Sequence, residues 1–153
     1  MGKKPFCVRF IAVHLPKPGA FAAVVPVLDK AAHILGRIAE EKSDLELLTP
    51  EQLRTDGLAA LDAVALGCPA MGSEVLEEME FQPMFDACKR SLGGKRVALF
   101  GSYGWGDGEW MRTWESDCDS AGVNLVCESV ICTETPDDAA LEACRALGKA
   151  LAE

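Results

Sequence analysis

The sequence lacks several patterns that would assign it to a common functional class. Its seven cysteines include no Cys-x-x-Cys pair, and its two histidines are far apart. Zinc sites and disulfide frameworks need such clusters, so the cysteines are interpreted as reduced, mostly buried thiols and the chain as cytoplasmic. No apolar run approaches the roughly 20 residues that a membrane-spanning helix needs. The sequence therefore predicts neither a metal site nor a membrane span.

Positive charge is also scarce, and it is unevenly placed. The chain has 15 Lys and Arg against 24 Asp and Glu, a formal net charge of −9. This balance argues against binding to a nucleic-acid backbone and favours a basic partner surface. Residues 1–42 nevertheless carry seven basic and three acidic side chains. The acidic character therefore belongs to the remainder of the chain.

Short apolar runs alternate with longer amphipathic segments along the chain. Strands are predicted at Phe6–Leu15, Leu45–Leu48, Ala63–Gly67, Arg96–Gly101 and Val123–Val130. Helices are predicted at Ala20–Glu41, Gln82–Ser91, Asp107–Ala121 and Asp137–Ala152, with a short helix within 48–63. Such alternation is typical of an α/β protein with a parallel sheet covered on both faces. One domain over residues 1–153 is expected, and its ligands should bind beyond the carboxyl ends of the strands.

Two glycine-rich loops follow the third and fourth predicted strands. The loop "GSYGWG" at 101–106 places Trp105 between two glycines, which leaves the indole face uncovered and able to stack on a flat ring. The alternative is that Trp105 folds back into the core. Trp110 and Trp114 lie four residues apart on a predicted helix and are both interpreted as packing residues.

The loop "GCPAMGSE" at 67–74 places a soft, adaptable methionine beside a glycine. Met71 can pack against an aromatic ring, and Gly72 permits a peptide orientation that other residues resist. Glu74 can accept a hydrogen bond from an N–H at the edge of a ligand. The alternative is a core role for Met71 and a solvated acidic face. That face would consist of Glu74, Glu77, Glu78 and Glu80.

Two stretches, "GCPAMGSEVLEEMEFQPMF" and "KRVALFGSYGWGDGEWMRTWE", closely resemble the short-chain flavodoxins of anaerobic bacteria. The resemblance covers roughly residues 45–153. It implies a flavodoxin-like, doubly wound sheet of five parallel strands in the order 2-1-3-4-5. It also implies FMN as cofactor and low-potential transfer of single electrons, without a catalytic residue. The implied partners are basic oxidoreductases, and the chain is expected to be a monomer.

The resemblance assigns positions around the flavin. Met71 would lie on one face of the isoalloxazine ring and Trp105 on the other. Gly72 would supply a carbonyl that turns to accept a hydrogen bond from N5 of the reduced ring, and Glu74 would receive the ring N3–H. Ser73 departs from the acidic residue often found there. The implied FMN-binding residues are Pro69, Ala70, Met71, Gly72, Ser73, Glu74, Ser102, Tyr103, Gly104, Trp105 and Gly106.

The phosphate end of such a site is not recognisable in the sequence. The family binds the FMN phosphate with hydroxyls and backbone N–H groups after the first strand, where this chain reads "HLPKPGAFAAVV". Residues 1–42 contain no Ser, Thr or Asn, and Pro16 and Pro18 have no N–H to donate. Either this segment has diverged, or a frameshift or misjoined gene has replaced it. The strength of FMN binding is left open.

Two other functions compete with an electron carrier. A protein of the same fold that has lost FMN would act as an interaction module through its acidic surface. A flavin-dependent quinone reductase would be an enzyme, but the chain has no insertion to build a substrate pocket.

Overall fold

The fold centres on a five-stranded parallel sheet in the order β2-β1-β3-β4-β5. The computed structural model describes residues 7–12, 44–48, 50–53, 55–134 and 136–152. The strands are β1 Cys7–Ala12, β2 Asp44–Leu48, β3 Ala63–Gly67, β4 Arg96–Tyr103 and β5 Val130–Thr133. The predicted α/β class and strand order are therefore confirmed.

Helices follow β3, β4 and β5. The α-helices are α1 Phe81–Cys88, α2 Glu109–Ser120 and α3 Asp138–Ala152. They begin and end within a few residues of the predicted bounds, whereas the predicted helix Ala20–Glu41 lies outside the described residues. The short helix predicted within 48–63 forms as two 3-10 turns, Pro50–Gln52 and Thr55–Ala60, and a third turn spans Lys89–Leu92. Among the described helices, none has both the length and the apolar character required to cross a membrane.

The main core lies between one face of the sheet and helices α1 and α2. Trp114 of α2 packs edge-on against Phe81 and Phe85 of α1, with ring centroids 5.3 and 5.9 Å apart. Trp110 is buried in the same cluster. Both tryptophans that the sequence assigned to packing are therefore core residues, and edge-on ring contacts of this kind add to the stabilisation from burial alone. The sheet side chains in this core are Val64, Leu66, Val97 and Leu99.

The carboxyl ends of β3 and β4 approach each other closely because two glycines stand there. A Cβ added at Gly67 would lie 2.3 Å from the ring of Phe100. One added at Gly101 would lie 2.3 Å from the carbonyl oxygen of Cys68. Pairing continues past the strand end, since the Ala70 N–H donates to the Ser102 carbonyl at 3.0 Å. The loops that follow these strands therefore leave the sheet side by side.

The prediction of a strand over Val123–Val130 is wrong. Leu125 makes only an isolated bridge to Val97, and regular pairing with β4 starts where Val130 meets Phe100. From Leu125 to Val130 the chain advances by five residues, whereas their partners on β4 are three residues apart. Two surplus residues on this segment therefore lie outside the ladder between the two pairs.

Candidate functional site

The first loop, residues 68–77, contains a tight turn that carries Met71 and Gly72. The backbones of Met71 and Val75 exchange two hydrogen bonds, at 2.8 and 3.0 Å. Gly72, at the exposed tip, has a φ of 49°, and the half-buried Glu74 has a φ of 55°, which is uncommon for a residue other than glycine. Within the described part of the chain, neither Gly72 nor Ser73 forms a hydrogen bond. The turn is thus fixed at its two ends and free at its tip.

The second loop, residues 101–108, presents an exposed indole. The Trp105 side chain is 65% exposed and makes no ring–ring contact with any described residue. Arg112 of α2 holds the end of this loop. Its Nη1 donates to the carbonyl oxygen of Asp107 at 3.0 Å, and its Nη2 donates to Oδ1 of the same residue at 2.9 Å. This hydrogen-bonded ion pair lowers the pKa of Asp107 and raises that of Arg112. The alternative in which Trp105 is a core residue is therefore wrong.

A single carboxylate joins the two loops. Oε1 of Glu74 accepts the backbone N–H groups of Gly108 and Glu109, each at 3.2 Å. These donors lie at the amino terminus of α2, where backbone N–H groups lack helical partners and a negative charge is favourable. A Cβ added at Gly106 would lie 2.4 Å from the carboxyl carbon of Glu74, so only glycine leaves room for this contact.

The same place concentrates negative charge. One carboxylate oxygen each from Glu74, Asp107 and Glu109 lie within 4.8 Å of one another. Arg112 pairs with Asp107 and offsets part of that charge. Reduction of a group bound beside these carboxylates would add negative charge close to negative charge, which is electrostatically unfavourable.

The acidic residue Glu77 is buried, contrary to the interpretation that placed it on a solvated face. Its side chain is 5% exposed and accepts the backbone N–H groups of Met79 at 2.6 Å and of Glu80 and Phe81 at 2.8 Å each. Burial raises the pKa of this carboxyl, but the three donors outweigh burial and hold the pKa below its usual value. An acid just before an apolar helix is the sequence signal for this role, and the acidic run around Glu77 masked it.

Cys68 links the start of the first loop to its end. Its Sγ accepts the backbone N–H of Glu77 at 3.4 Å, and its carbonyl oxygen accepts the indole N–H of Trp110 at 3.2 Å. Burial raises the pKa of the Cys68 thiol far above its ordinary value, so this sulfur stays protonated. Sequence reasoning did not assign a role to this cysteine.

The remaining predicted site residues lie on the same two loops. Ser102 is fully buried, and its hydroxyl has no hydrogen-bond partner among the described residues. Tyr103 is half-buried, with its ring centroid 5.3 Å from that of Trp110. Pro69 is buried and Ala70 half-buried, whereas Gly104 and Gly106 are exposed.

These features fit the ring end of an FMN site. An unpaired buried hydroxyl such as that of Ser102 is expected to find a partner, and a bound polar group would provide one. An exposed indole between glycines offers a stacking face, and the unbonded tip at Gly72 offers peptide groups to a ligand. Residues 14–25, where the family binds the phosphate and this sequence shows no recognisable phosphate loop, lie outside the described residues.

Comparison with known proteins places these loops in a family. No protein-family model matches the chain. A flavodoxin of Clostridium beijerinckii is 40% identical over 125 residues, which cover 81% of this chain and 90% of that protein. A flavodoxin of Megasphaera elsdenii is 41% identical over 111 residues, which cover 72% of this chain and 79% of that protein.

A solved structure agrees with the sequence comparison. The solution structure of two-electron reduced Megasphaera elsdenii flavodoxin matches with a TM-score of 0.78 at 34% identity, over 95% of this chain and 98% of that one. Identity at this level across most of both chains goes beyond a shared fold. With the sheet order and the two joined loops, it shows that this chain belongs to the short-chain flavodoxin family.

Proposed function

We propose that the chain is an FMN-binding, low-potential carrier of single electrons. The observation that carries this proposal is the juxtaposition, through Glu74, of an exposed Trp105 loop and a turn whose tip at Gly72 makes no hydrogen bond to a described residue. Bound FMN would supply the redox chemistry, since it takes up and releases electrons one at a time. The protein then needs to bind and orient the ring and to set its electrostatic surroundings.

The ring would be held by two apolar side chains and oriented by one carboxylate. Met71, half-buried at the end of the first loop, and Trp105 would contact opposite faces of the isoalloxazine. Glu74 would accept the ring N3–H, and the two α2 amides that Glu74 binds would fix the direction of its carboxylate. The Ser102 hydroxyl and Tyr103 would line the ring and its side chain.

The tip of the first loop would respond to the redox state. Gly72 is exposed and already has a positive φ, so a change in the orientation of its carbonyl meets no side-chain obstacle. When that carbonyl points to the ring, its oxygen would accept a hydrogen bond from the N5–H of reduced flavin. The Met71–Val75 bonds below the tip would remain intact during this change.

The carboxylates beside the site would set the potential and select the partner. Glu74, Asp107 and Glu109 would oppose the additional negative charge of a reduced ring and so lower its potential. The same charges would attract an oxidoreductase with a basic surface, by a salt-sensitive long-range force. We further propose a monomer with one domain over residues 1–153.

A reducing compartment fits the cysteines. Cys68, Cys88, Cys118, Cys127, Cys132 and Cys144 are free thiols. Proteins of oxidising compartments use disulfides far more often than cytosolic proteins do. The cytoplasm is therefore the proposed location.

Titration of the full-length chain with FMN tests this function. We expect saturable quenching of flavin fluorescence, followed by reduction of the complex in two one-electron steps. Absence of quenching up to about 1 mM FMN, where binding would contribute only about 4 kcal/mol, would refute the proposal and leave an FMN-free interaction module. Steady NAD(P)H-driven turnover of a quinone by the chain alone would instead indicate a reductase.

A further inference from the structure

Hydrogen bonds tie the base of the first loop to both helices on that face of the sheet. From α2, the indole of Trp110 donates to the carbonyl oxygen of Cys68. Cys68 Sγ then accepts the backbone N–H of Glu77, and the Glu77 carboxylate accepts amides that open α1. The chain therefore leaves β3 and enters α1 through two residues that are held to each other.

The tip of the same loop has no such restraint. The Met71–Val75 pair closes the turn, and beyond it Gly72 and Ser73 are exposed and, among the described residues, take part in no hydrogen bond. With Met71 and Val75 fixed, the two peptide groups on either side of Ser73 make no hydrogen bond to a described residue, and the glycine makes the Gly72–Ser73 peptide the easier of the two to turn. Met71 can then keep its place while that peptide turns.

The carboxylate of Glu77 is the part of this network that no other group can replace. It accepts three N–H groups at once, and Phe81, which supplies one of them, is fully buried. Only a carboxylate offers enough acceptor sites to satisfy three donors. An amide in its place would direct its own N–H₂ towards one of these donors and leave that donor unpaired.

We propose that Glu77 is a positioning residue for electron transfer: by fixing the base of the first loop, it confines redox-linked rearrangement to the Gly72–Ser73 peptide. This inference rests on the proposed function. A competing possibility is that Glu77 only caps α1. The two possibilities differ in whether loss of the carboxylate loosens the backbone at Met71 and Val75. Both residues lie outside α1 and are linked to Glu77 through the loop that Cys68 holds.

The first experiment uses full-length protein without FMN and compares Glu77→Gln with Glu78→Gln. Glu78 is exposed and adjacent, so its variant loses the same charge without these hydrogen bonds. We expect backbone amide exchange at Met71 and Val75 to become about tenfold faster in Glu77→Gln and to remain unchanged in Glu78→Gln. Faster exchange confined to the start of α1 would overturn the inference and leave Glu77 as a cap.

The second measurement uses the FMN complexes of the same variants. If the base of the first loop is less rigid, the equilibrium between the two orientations of the Gly72–Ser73 peptide should favour one of them less strongly. The gap between the two one-electron potentials should therefore narrow, by about a tenfold change in the equilibrium constant between the steps, in Glu77→Gln and much less in Glu78→Gln. Equal changes would show a charge effect alone and overturn the inference. If none of the proteins binds FMN, the proposed function fails, and amide exchange still decides the role of Glu77.

A variant of the Cys68 side chain covers the case in which Glu77→Gln does not fold. Cys68→Ala removes the sulfur acceptor of the Glu77 N–H and leaves the carboxylate in place. We expect faster exchange at Met71 and Val75 in this variant too. Wild-type exchange rates at both amides would contradict a positioning network.

Discussion

Oε1 of Glu74 lies 3.2 Å from the backbone nitrogen of Gly108. This contact joins the loop after β3 to the loop after β4, although 34 residues separate them in sequence. A residue proposed to bind one edge of the flavin thus also holds together the two segments proposed to contact its faces. Binding of the ring and closure of the loops are therefore expected to depend on each other.

Replacement of Trp105 by alanine should weaken FMN binding without unfolding the protein. Stacking of an aromatic side chain on a flat base contributes about 1–3 kcal/mol, so the Kd should rise by about 5- to 150-fold. Because the side chain is 65% exposed, the free energy of unfolding without FMN should change by less than about 0.5 kcal/mol. Fluorescence titration and urea unfolding measure the two quantities.

The matched control for this variant is Trp114→Phe. Trp114 is buried against Phe81 and Phe85, so the substitution should lower the free energy of unfolding. It should leave the Kd for FMN nearly unchanged. An unaltered Kd in Trp105→Ala would contradict the stacking role.

Riboflavin should bind almost as well as FMN. The two ligands share the ring and differ in the phosphate, and residues 14–25 carry no hydroxyl side chain and include two prolines without an N–H. We expect FMN to bind less than about tenfold more tightly, which is about 1.4 kcal/mol. Parallel titrations at one salt concentration measure the ratio. An advantage of a hundredfold or more for FMN would reveal a phosphate site built without the family's usual residues.

Acid should destabilise the protein partly through Glu77. Hydrogen bonds hold its pKa below the ordinary value of 4.5, so the ionised carboxylate contributes stability above that pH. The contribution is lost as pH falls through the lower pKa of the folded state. Urea unfolding from about pH 5 to pH 3 should show a steeper loss of stability in the wild type than in Glu77→Gln. Parallel curves would show that Glu77 does not contribute.

The cysteines should differ in reactivity towards an alkylating reagent. Burial raises the pKa of Cys118 to about 12 and that of Cys144 to about 11, and it raises the pKa of Cys68 as well. Cys127 and Cys132 are only half-buried. Since the thiolate is the reacting form, these two should be modified before Cys68, Cys118 and Cys144 at pH 8, as followed by peptide mass spectrometry. Equal modification of Cys118 would indicate that α2 opens readily.

Gly101→Ala should destabilise the sheet strongly. Its Cβ would meet the carbonyl oxygen of Cys68 at 2.3 Å, so the strand ends would have to separate at an expected loss of about 1–3 kcal/mol. Gly57→Ala is the control, because Gly57 is exposed and an added Cβ there meets no atom within 4 Å. Its free energy of unfolding should remain within about 0.5 kcal/mol of the wild type.

Patterns of apolar residues predicted most of the sheet. Ala63–Gly67 is a strand over the predicted residues, because five successive apolar residues between turns suit a strand buried on both faces. The prediction of a strand at Val123–Val130 was wrong because an apolar run does not reveal which of its residues pair with the neighbouring strand. The irregular segment before Val130 is decided by pairing with β4, a long-range contact that a local pattern does not contain.

The residues proposed to contact the flavin were predicted more completely than the residues that hold the two loops in place. Glycines around Trp105 indicated an exposed indole, because they remove the side chains that would cover it. Glu77 was misplaced because an acid among acids usually faces water, and its burial depends on donors that α1 provides only once folded. Cys68 was overlooked because a buried thiol is usually a small apolar side chain and seldom a hydrogen-bond acceptor.

The contact between Glu74 and Gly106 restricts the order in which this sequence can change. A side chain at 106 would displace the flexible end of Glu74 from the Gly108 and Glu109 amides, and it would also have to adopt a φ of 83°. Replacement of Glu74 by a smaller residue removes the first obstacle and leaves the second. The less costly mutational path therefore alters position 74 before position 106, and Asn, which tolerates a positive φ, is the expected second step.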